Sequence, residues 1–302
     1  AMGKMGAREL NYSSDIDLIC LFDDSQLDPS DFYKTRGAFI RATREMSTTL
    51  NDITSDGYVF RTDLRLRPDP SVTPVCIGTD AAERYYESLG RTWERAAYIK
   101  ARVVGGDFAA GKAFLERMQP FVWRKHLDFA AIEDAHNMRL AIRDHKGLGG
   151  PLSLEGHDMK LGRGGIREIE FFTQTRQLIS GGRESSLRDR QTVKALTKLA
   201  ENNWIEKKTA AVLKEHYRSH RIIEHRLQMM YDSQTHALPK SSEGFERLSC
   251  LVDQDNQTLR DDLLSRLNEV HELTEGFFAG PSIVLSDTKH HNNFDEIVDR
   301  WS

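Results

Sequence analysis

The chain has 302 residues, 39% of them apolar and 29% charged, and 42 Lys and Arg against 46 Asp and Glu give a formal net charge of −4. That length can bury a sizeable core and predicts two domains, while the mildly acidic balance argues against a non-specific polynucleotide binder, which displays a basic surplus. No run of about twenty apolar residues and no signal peptide is visible, and Cys20, Cys76 and Cys250 have no metal-ligand spacing, so they read as reduced core residues of a cytoplasmic protein without a membrane partner. Residue 1 falls directly before a glycine turn, with no strand to feed it, so the chain reads as a fragment.

Gly3, Lys4 and Gly6 form that turn, whose N–H groups can approach phosphate because glycine has no side chain in the way. Asp15 and Asp17 follow at the mouth of an apolar run, Ile16 to Phe22, expected to be a buried strand. Alternation along a strand points the two carboxylates the same way, and hard oxygen ligands converging on one point suit Mg²⁺. Taken alone, the pair also fits a polar turn ahead of a strand. A polar connection, Asp23 to Ser30, leads to a helix capped by Ser30 or Asp31. Its apolar stripe is Phe32, Phe39, Ile40, Thr43, Met46 and Leu50. Tyr58 to Arg67 alternates with period two, placing Val59, Arg61, Asp63, Arg65 and Arg67 on one face. Asp63 thus supplies a third carboxylate among arginines. Three carboxylates on adjacent strands can hold two metals for in-line displacement at phosphorus, with the arginines stabilising charge on the transferred group.

Pro68, Pro70 and Pro74 stop regular pairing, and Val72 to Ile77 is expected as an edge strand. Ala81 to Ser88 and Trp93 to Arg102 read as short helices. Trp93, Arg95 and Arg102 fit either nucleotide contacts or a core tryptophan beside a solvated basic face. From Phe108 onward the spacing is helical: Phe108 to Met118, Asp128 to Lys146, Ile166 to Ser180, Arg188 to Asn202, Lys207 to Tyr231 and Leu259 to Glu275 predict an α-helical bundle. The expected domains are 1–115 and 116–302. Between Lys146 and Gly165 lies a glycine-rich loop carrying Lys160 and Arg163 before a helix, which fits an anion site or a mobile linker. Arg167, Glu168 and Glu170 follow in the helix's first turns. His216, His220 and His225 read as a solvated or partner-facing helix surface, because no acidic third ligand accompanies the i, i+4 pair.

Gly3-Lys-Met-Gly-Ala-Arg-Glu-Leu10, Ser13-Ser-Asp-Ile-Asp-Leu18 and Arg61-Thr-Asp-Leu-Arg-Leu-Arg-Pro68 resemble the nucleotidyltransferase signature of the glutamine synthetase adenylyltransferase/adenylyl-removing family. Trp93-Glu-Arg95, Lys100-Ala-Arg102, Phe121-Val-Trp-Arg124 and Lys160-Leu-Gly-Arg-Gly-Gly-Ile-Arg-Glu-Ile-Glu-Phe171 extend the likeness to about residue 235. The resemblance implies an α+β fold, a DNA polymerase beta-like mixed sheet with flanking helices, followed by the α-helical bundle. It implies an enzyme with Asp15, Asp17 and Asp63 as catalytic, metal-binding residues for two Mg²⁺. It also implies a phosphate and nucleotide site of Gly3, Lys4, Gly6, Ser14, Arg61, Arg65, Arg67, Lys160 and Arg167.

Gly-Gly-Ile-Arg-Glu-Ile-Glu-Phe171 stands where the family's transferring half typically reads Gly-Gly-Ile-Thr-Asp-Ile-Glu-Phe, and Trp-Glu-Arg95 replaces Trp-Glu-His. Together with Arg8, these resemble the N-terminal, adenylyl-removing half. There inorganic phosphate attacks the tyrosyl-AMP of glutamine synthetase and releases ADP, in the regulation of nitrogen metabolism. The alternatives are adenylylation of the synthetase from ATP, and a non-catalytic fragment that docks on glutamine synthetase or a PII-type signal protein.

Overall fold

The computed structural model describes residues 1–125, 137, 140, 147 and 150–278. It divides into two compact units, residues 1–125 with 189–191, and the remainder. Apart from Asn137 and Leu140, which are helical, the helix expected over 128–146 lies outside the described residues, as does the chain after 278.

The first unit opens with a five-residue helix α1 (Gly3–Ala7), where the sequence predicts a turn. Four short strands follow: β1 (Ile16–Asp17), β2 (Cys20–Phe22), β3 (Thr62–Asp63) and β4 (Cys76–Gly78). They pair as two parallel two-stranded sheets, β1 with β3 and β2 with β4. The single strand expected over 16–22 is therefore broken at Leu18 and Ile19. Its partner explains the break, because Pro68, Pro70 and Pro74 cannot donate to a ladder and pairing resumes only at Cys76.

The long strand expected over 58–67 also shrinks to Thr62 and Asp63. Upstream, the N–H groups of Val59 and Phe60 turn back to the Leu50 carbonyl. Downstream, Oδ1 of Asp63 captures the Arg65 N–H at 2.7 Å, an Asx turn that ends the extended run. Helix α2 (Phe32–Asn51) makes the crossover that a parallel pair requires. Its Phe39 ring stacks on Phe22 of β2 with centroids 5.2 Å apart.

Helices α3 (Thr79–Ser88), α4 (Thr92–Tyr98), α5 (Phe108–Arg117) and α6 (Gln119–Val122) complete this unit. Tyr86, Trp93, Tyr98 and Phe121 are buried among them. Arg95, offered by the sequence as a nucleotide contact or a solvated cation, is neither: it is fully buried and donates to the Val122 carbonyl. Arg102 donates to the carbonyls of Met5 and Gly6, closing the C-terminal end of α1. Cys76 is buried as expected, but Cys250 of the second unit is exposed, a correction to its reading as core.

The second unit is helical: α7 (Ile166–Ser180), α8 (Thr192–Glu201), α9 (Lys207–Tyr231), α10 (Ser242–Val252) and α11 (Asn256–Phe278). Helix α7 is buried on nearly every face, its Ile169 and Phe172 packing with Leu196, Leu213 and Val270 of its neighbours. A second apolar cluster, including Leu227, Phe245, Leu248 and Leu263, joins α9, α10 and α11.

From 156 to 167 the glycine-rich segment before α7 is tied down by its own backbone. The N–H groups of Gly165, Ile166 and Arg167 go to the carbonyls of Gly162, Met159 and Lys160. Gly164 has φ +72° and lies so close to the Leu267 carbonyl that a Cβ could not fit. Its glycines let backbone touch backbone. The histidines of α9 are likewise not a solvated surface: His220 is fully buried with Nε2 on the Gly164 carbonyl at 3.1 Å, and His216 meets Glu269 at 2.7 Å.

Candidate functional site

The chemistry-bearing residues of the first unit gather where β1 and β3 run side by side. The register sets Asp17 opposite Asp63 and Ile16 opposite Thr62. It is held by the Ile16 N–H on the Arg61 carbonyl at 2.7 Å and the Leu18 N–H on the Asp63 carbonyl at 2.8 Å. Parallel register brings the side chains of directly paired residues to one face. Asp15 lies one residue ahead of β1, with its carbonyl accepting from the Ser14 hydroxyl at 2.9 Å.

A cation already stands beside these carboxylates. Nε and Nη2 of Arg65 both donate to Oδ2 of Asp63, at 2.9 and 2.6 Å. The hydrogen bond to Asp63 outweighs burial in raising the guanidinium's affinity for its proton, and the charges of Asp63, Asp15 and Asp17 add to it. Hard carboxylate oxygen donors in cross-strand register suit a divalent cation in type. Among the described residues, however, no three His, Cys, Asp or Glu side chains converge on one point in the way a metal needs. Asp63 is turned to Arg65 instead.

Gly3 has φ +49°, and a Cβ there would lie 2.5 Å from Oδ2 of Asp17. The Met2 N–H donates to the Asp17 carbonyl at 2.9 Å, so the start of α1 is fixed against β1. Gly6 answers a packing need, because a Cβ would collide with the backbone oxygens of Lys100 and Ala1. Lys4 is carried on α1 between them. Arg61 reaches the Ser13 hydroxyl at 2.8 Å and the Tyr58 hydroxyl at 2.6 Å. Arg67 donates to the carbonyls of Leu64, Pro70 and Thr73, which ties down the proline loop.

Lys160 and Arg167 belong to the second unit, in a charged cluster that sequence reasoning did not assemble. Arg167 pairs with Glu170 at 3.2 Å, Arg221 reaches Glu170 at 3.1 Å and Glu224 at 2.7 Å, and His236 lies 2.9 Å from Glu224. Burial, reinforced by Arg167, pushes the Lys160 ammonium down to about 8, with Glu224 and Glu170 opposing. Burial alone would weaken Arg221's hold on its proton, but Tyr217, Glu224 and Glu170 keep it well above the ordinary arginine value. Arg167 with Glu170 and Arg221 with Glu224 are i, i+3 pairs, a spacing visible in the sequence. What it could not show is that the two pairs face each other from α7 and α9.

Comparison with known proteins bears on both units. Residues 1–117 match the family model described as glutamate-ammonia ligase adenylyltransferase, and residues 135–278 match the one described as GlnD PII-uridylyltransferase. The chain is similar to proteins named bifunctional glutamine synthetase adenylyltransferase/adenylyl-removing enzyme. That of Brucella suis is 54% identical over 83% of this chain and 25% of the relative. That of Bradyrhizobium diazoefficiens is 52% identical over 93% of this chain and 28% of the relative. The chain thus spans about a quarter of the length of the curated relatives it matches. Among the described residues no helix is long and apolar enough to cross a membrane.

Proposed function

Since the chain belongs, over its first 117 residues, to the glutamate-ammonia ligase adenylyltransferase family, we propose that it carries a nucleotidyl-transfer site acting on adenylylated glutamine synthetase. The reaction is removal of AMP from a tyrosine with release of ADP, in the cytoplasm. The carrying observation is the register of Asp17 against Asp63 beside Arg65. The parallel pair joined through α2 supports a DNA polymerase beta-like arrangement of the first unit.

In this reading Asp15, Asp17 and Asp63 would hold up to two Mg²⁺, which would supply charge neutralisation on the transferred adenylyl group. The chain's own residues do the rest. An oxygen of inorganic phosphate attacks the phosphorus of tyrosyl-AMP, the bond to the tyrosine oxygen breaks in line, and the tyrosine takes up a proton as ADP leaves. Phosphate is already anionic near neutral pH, so the site needs cationic positioning more than a general base. Lys4 and Arg65 supply the positive charge, Ser14 contributes a neutral hydroxyl, and Arg61 and Arg67 hold the neighbouring loops. Gly3 keeps the space against Asp17 open. Arg167 is assigned to internal charge pairing rather than to substrate, because it is paired with Glu170.

The test is to incubate the chain with adenylylated glutamine synthetase and Mg²⁺, with and without phosphate, and to follow loss of the AMP mass. Phosphate-dependent loss with ADP as product supports the proposal. AMP addition from ATP to unmodified synthetase instead would assign the opposite half-reaction. A second reading concerns the other unit, where the match to the PII-uridylyltransferase model favours docking of a PII-type signal protein. Binding of purified PII that survives removal of glutamine synthetase would support it, and no binding with or without effectors would end it.

A further inference from the structure

We infer that Arg65 is an internal counter-cation of the acidic site, displaced when a divalent ion enters and thereby freed to face the transferred group. The inference rests on the nucleotidyl-transfer reading and adds a competition to it. Both oxygens of Asp63 are engaged by one residue: Oδ1 by the backbone N–H of Arg65 at 2.7 Å, and Oδ2 by Nε and Nη2 of its guanidinium at 2.9 and 2.6 Å. A planar guanidinium forked onto Oδ2 uses the lone pairs that an inner-sphere metal would need, so the two cations cannot both hold that oxygen.

The geometry makes the exchange easy. Asp63 is 14% exposed whereas Arg65 is 55% exposed, so the guanidinium lies on the solvent side and leaves without opening the core. Its backbone bond to Oδ1 of Asp63 does not involve the side chain. The released cation therefore stays tethered two residues from the ligand it left. Arg61 and Arg67 cannot play this part, because their guanidiniums are engaged by Ser13 and Tyr58 and by the carbonyls of the proline loop. Arg65 is thus a positioning residue before metal arrives and a phosphate-facing cation afterwards.

The test measures Mn²⁺ binding to the full chain by the loss of free-ion EPR signal, in wild type, Arg65→Ala and Arg65→Lys. Both variants are expected to bind about two- to fivefold more tightly, the scale of a solvent-exposed ion pair. Lysine keeps the charge but loses the fork, so Arg65→Lys binding like wild type would reduce the effect to long-range charge and overturn the inference. Weaker binding by Arg65→Ala would overturn it as well. Independently, the ¹⁵N resonance of the Arg65 Nε–H should lose its exchange protection as Mg²⁺ is added to wild type. Protection that persists at saturating Mg²⁺ refutes displacement. Absence of any Mn²⁺ binding by wild type would defeat the metal reading itself, a result distinguishable from equal binding by all three proteins.

Discussion

Gly3 and Gly6 lie three residues apart in one short helix, yet they should fail in opposite ways when changed to alanine. At Gly3 the backbone has φ +49°, which costs an L-residue about 1–2 kcal/mol. The new Cβ would stand 2.5 Å from Oδ2 of Asp17, the free end of a side chain that can rotate away. Stability should fall only by that backbone penalty, while the carboxylate moves by about an ångström, enough to lose about a hundredfold in turnover. At Gly6 the obstacles are the carbonyl oxygens of Lys100 and Ala1, which cannot rotate clear. Gly6→Ala should therefore cost about 3 kcal/mol or more and lower the folded population before chemistry is reached. Urea titrations and Mn²⁺ binding on both variants separate the outcomes. A Gly3→Ala protein with wild-type metal binding and turnover, or a Gly6→Ala protein with an unshifted midpoint, would refute the assignment of these two glycines.

Three further outcomes are expected from the helical unit. Arg221→Ala removes one cation from Glu170 and Glu224, leaving Arg167 and His236 beside them, and should lose about 1.5–3 kcal/mol in urea unfolding; a loss below about 0.5 kcal/mol would show that Arg221 is dispensable to the cluster. Burial, with the neighbouring His216 and Arg266 adding to it and the hydrogen bond to Gly164 opposing, pushes His220 down from 6.5 to about 3. The unfolded chain takes up its proton below 6.5 and the folded one only near 3, so this contribution is complete above pH 6.5 and drains as pH falls towards 3. His220→Gln should flatten that acid slope by about one proton, read from unfolding free energies at several pH values; an unchanged slope would locate the titration elsewhere. Gly164→Ala meets the Leu267 carbonyl from a φ of +72°, and should lower the thermal midpoint of the unit carrying Trp204 more than Gly147→Ala does, where φ is +64° and the space is open; equal shifts would argue against the close approach.

What the sequence made legible was chemistry rather than extent. Asp17 and Asp63 could be set on facing strands from alternation and spacing, and β1 and β3 do pair them. The lengths of those strands could not be read, because an Asx turn at Asp63 and the prolines after Arg67 override the alternating pattern. Glycine composition alone cannot separate flexibility from close approach, and the loop before α7 proved to be the second, with Gly164 against Leu267. Likewise the i, i+4 spacing of His216 and His220 carries no information about which helix covers them. Burial of His220 against the Gly164 carbonyl is a tertiary fact. The helices over 166–180, 192–201, 207–231 and 256–278 were plain from three and four spacing, whereas α10 (Ser242–Val252), whose Phe245 and Leu248 are buried, was not among those expected.

The most direct test of the central claim is ADP release from adenylylated glutamine synthetase with Mg²⁺ and phosphate, measured for wild type and Asp17→Asn at matched urea midpoints. The account predicts phosphate-dependent ADP from wild type and none above background from Asp17→Asn. Equal ADP release by both proteins would contradict it, because the cross-strand carboxylate at Asp17 would then be dispensable to the transfer.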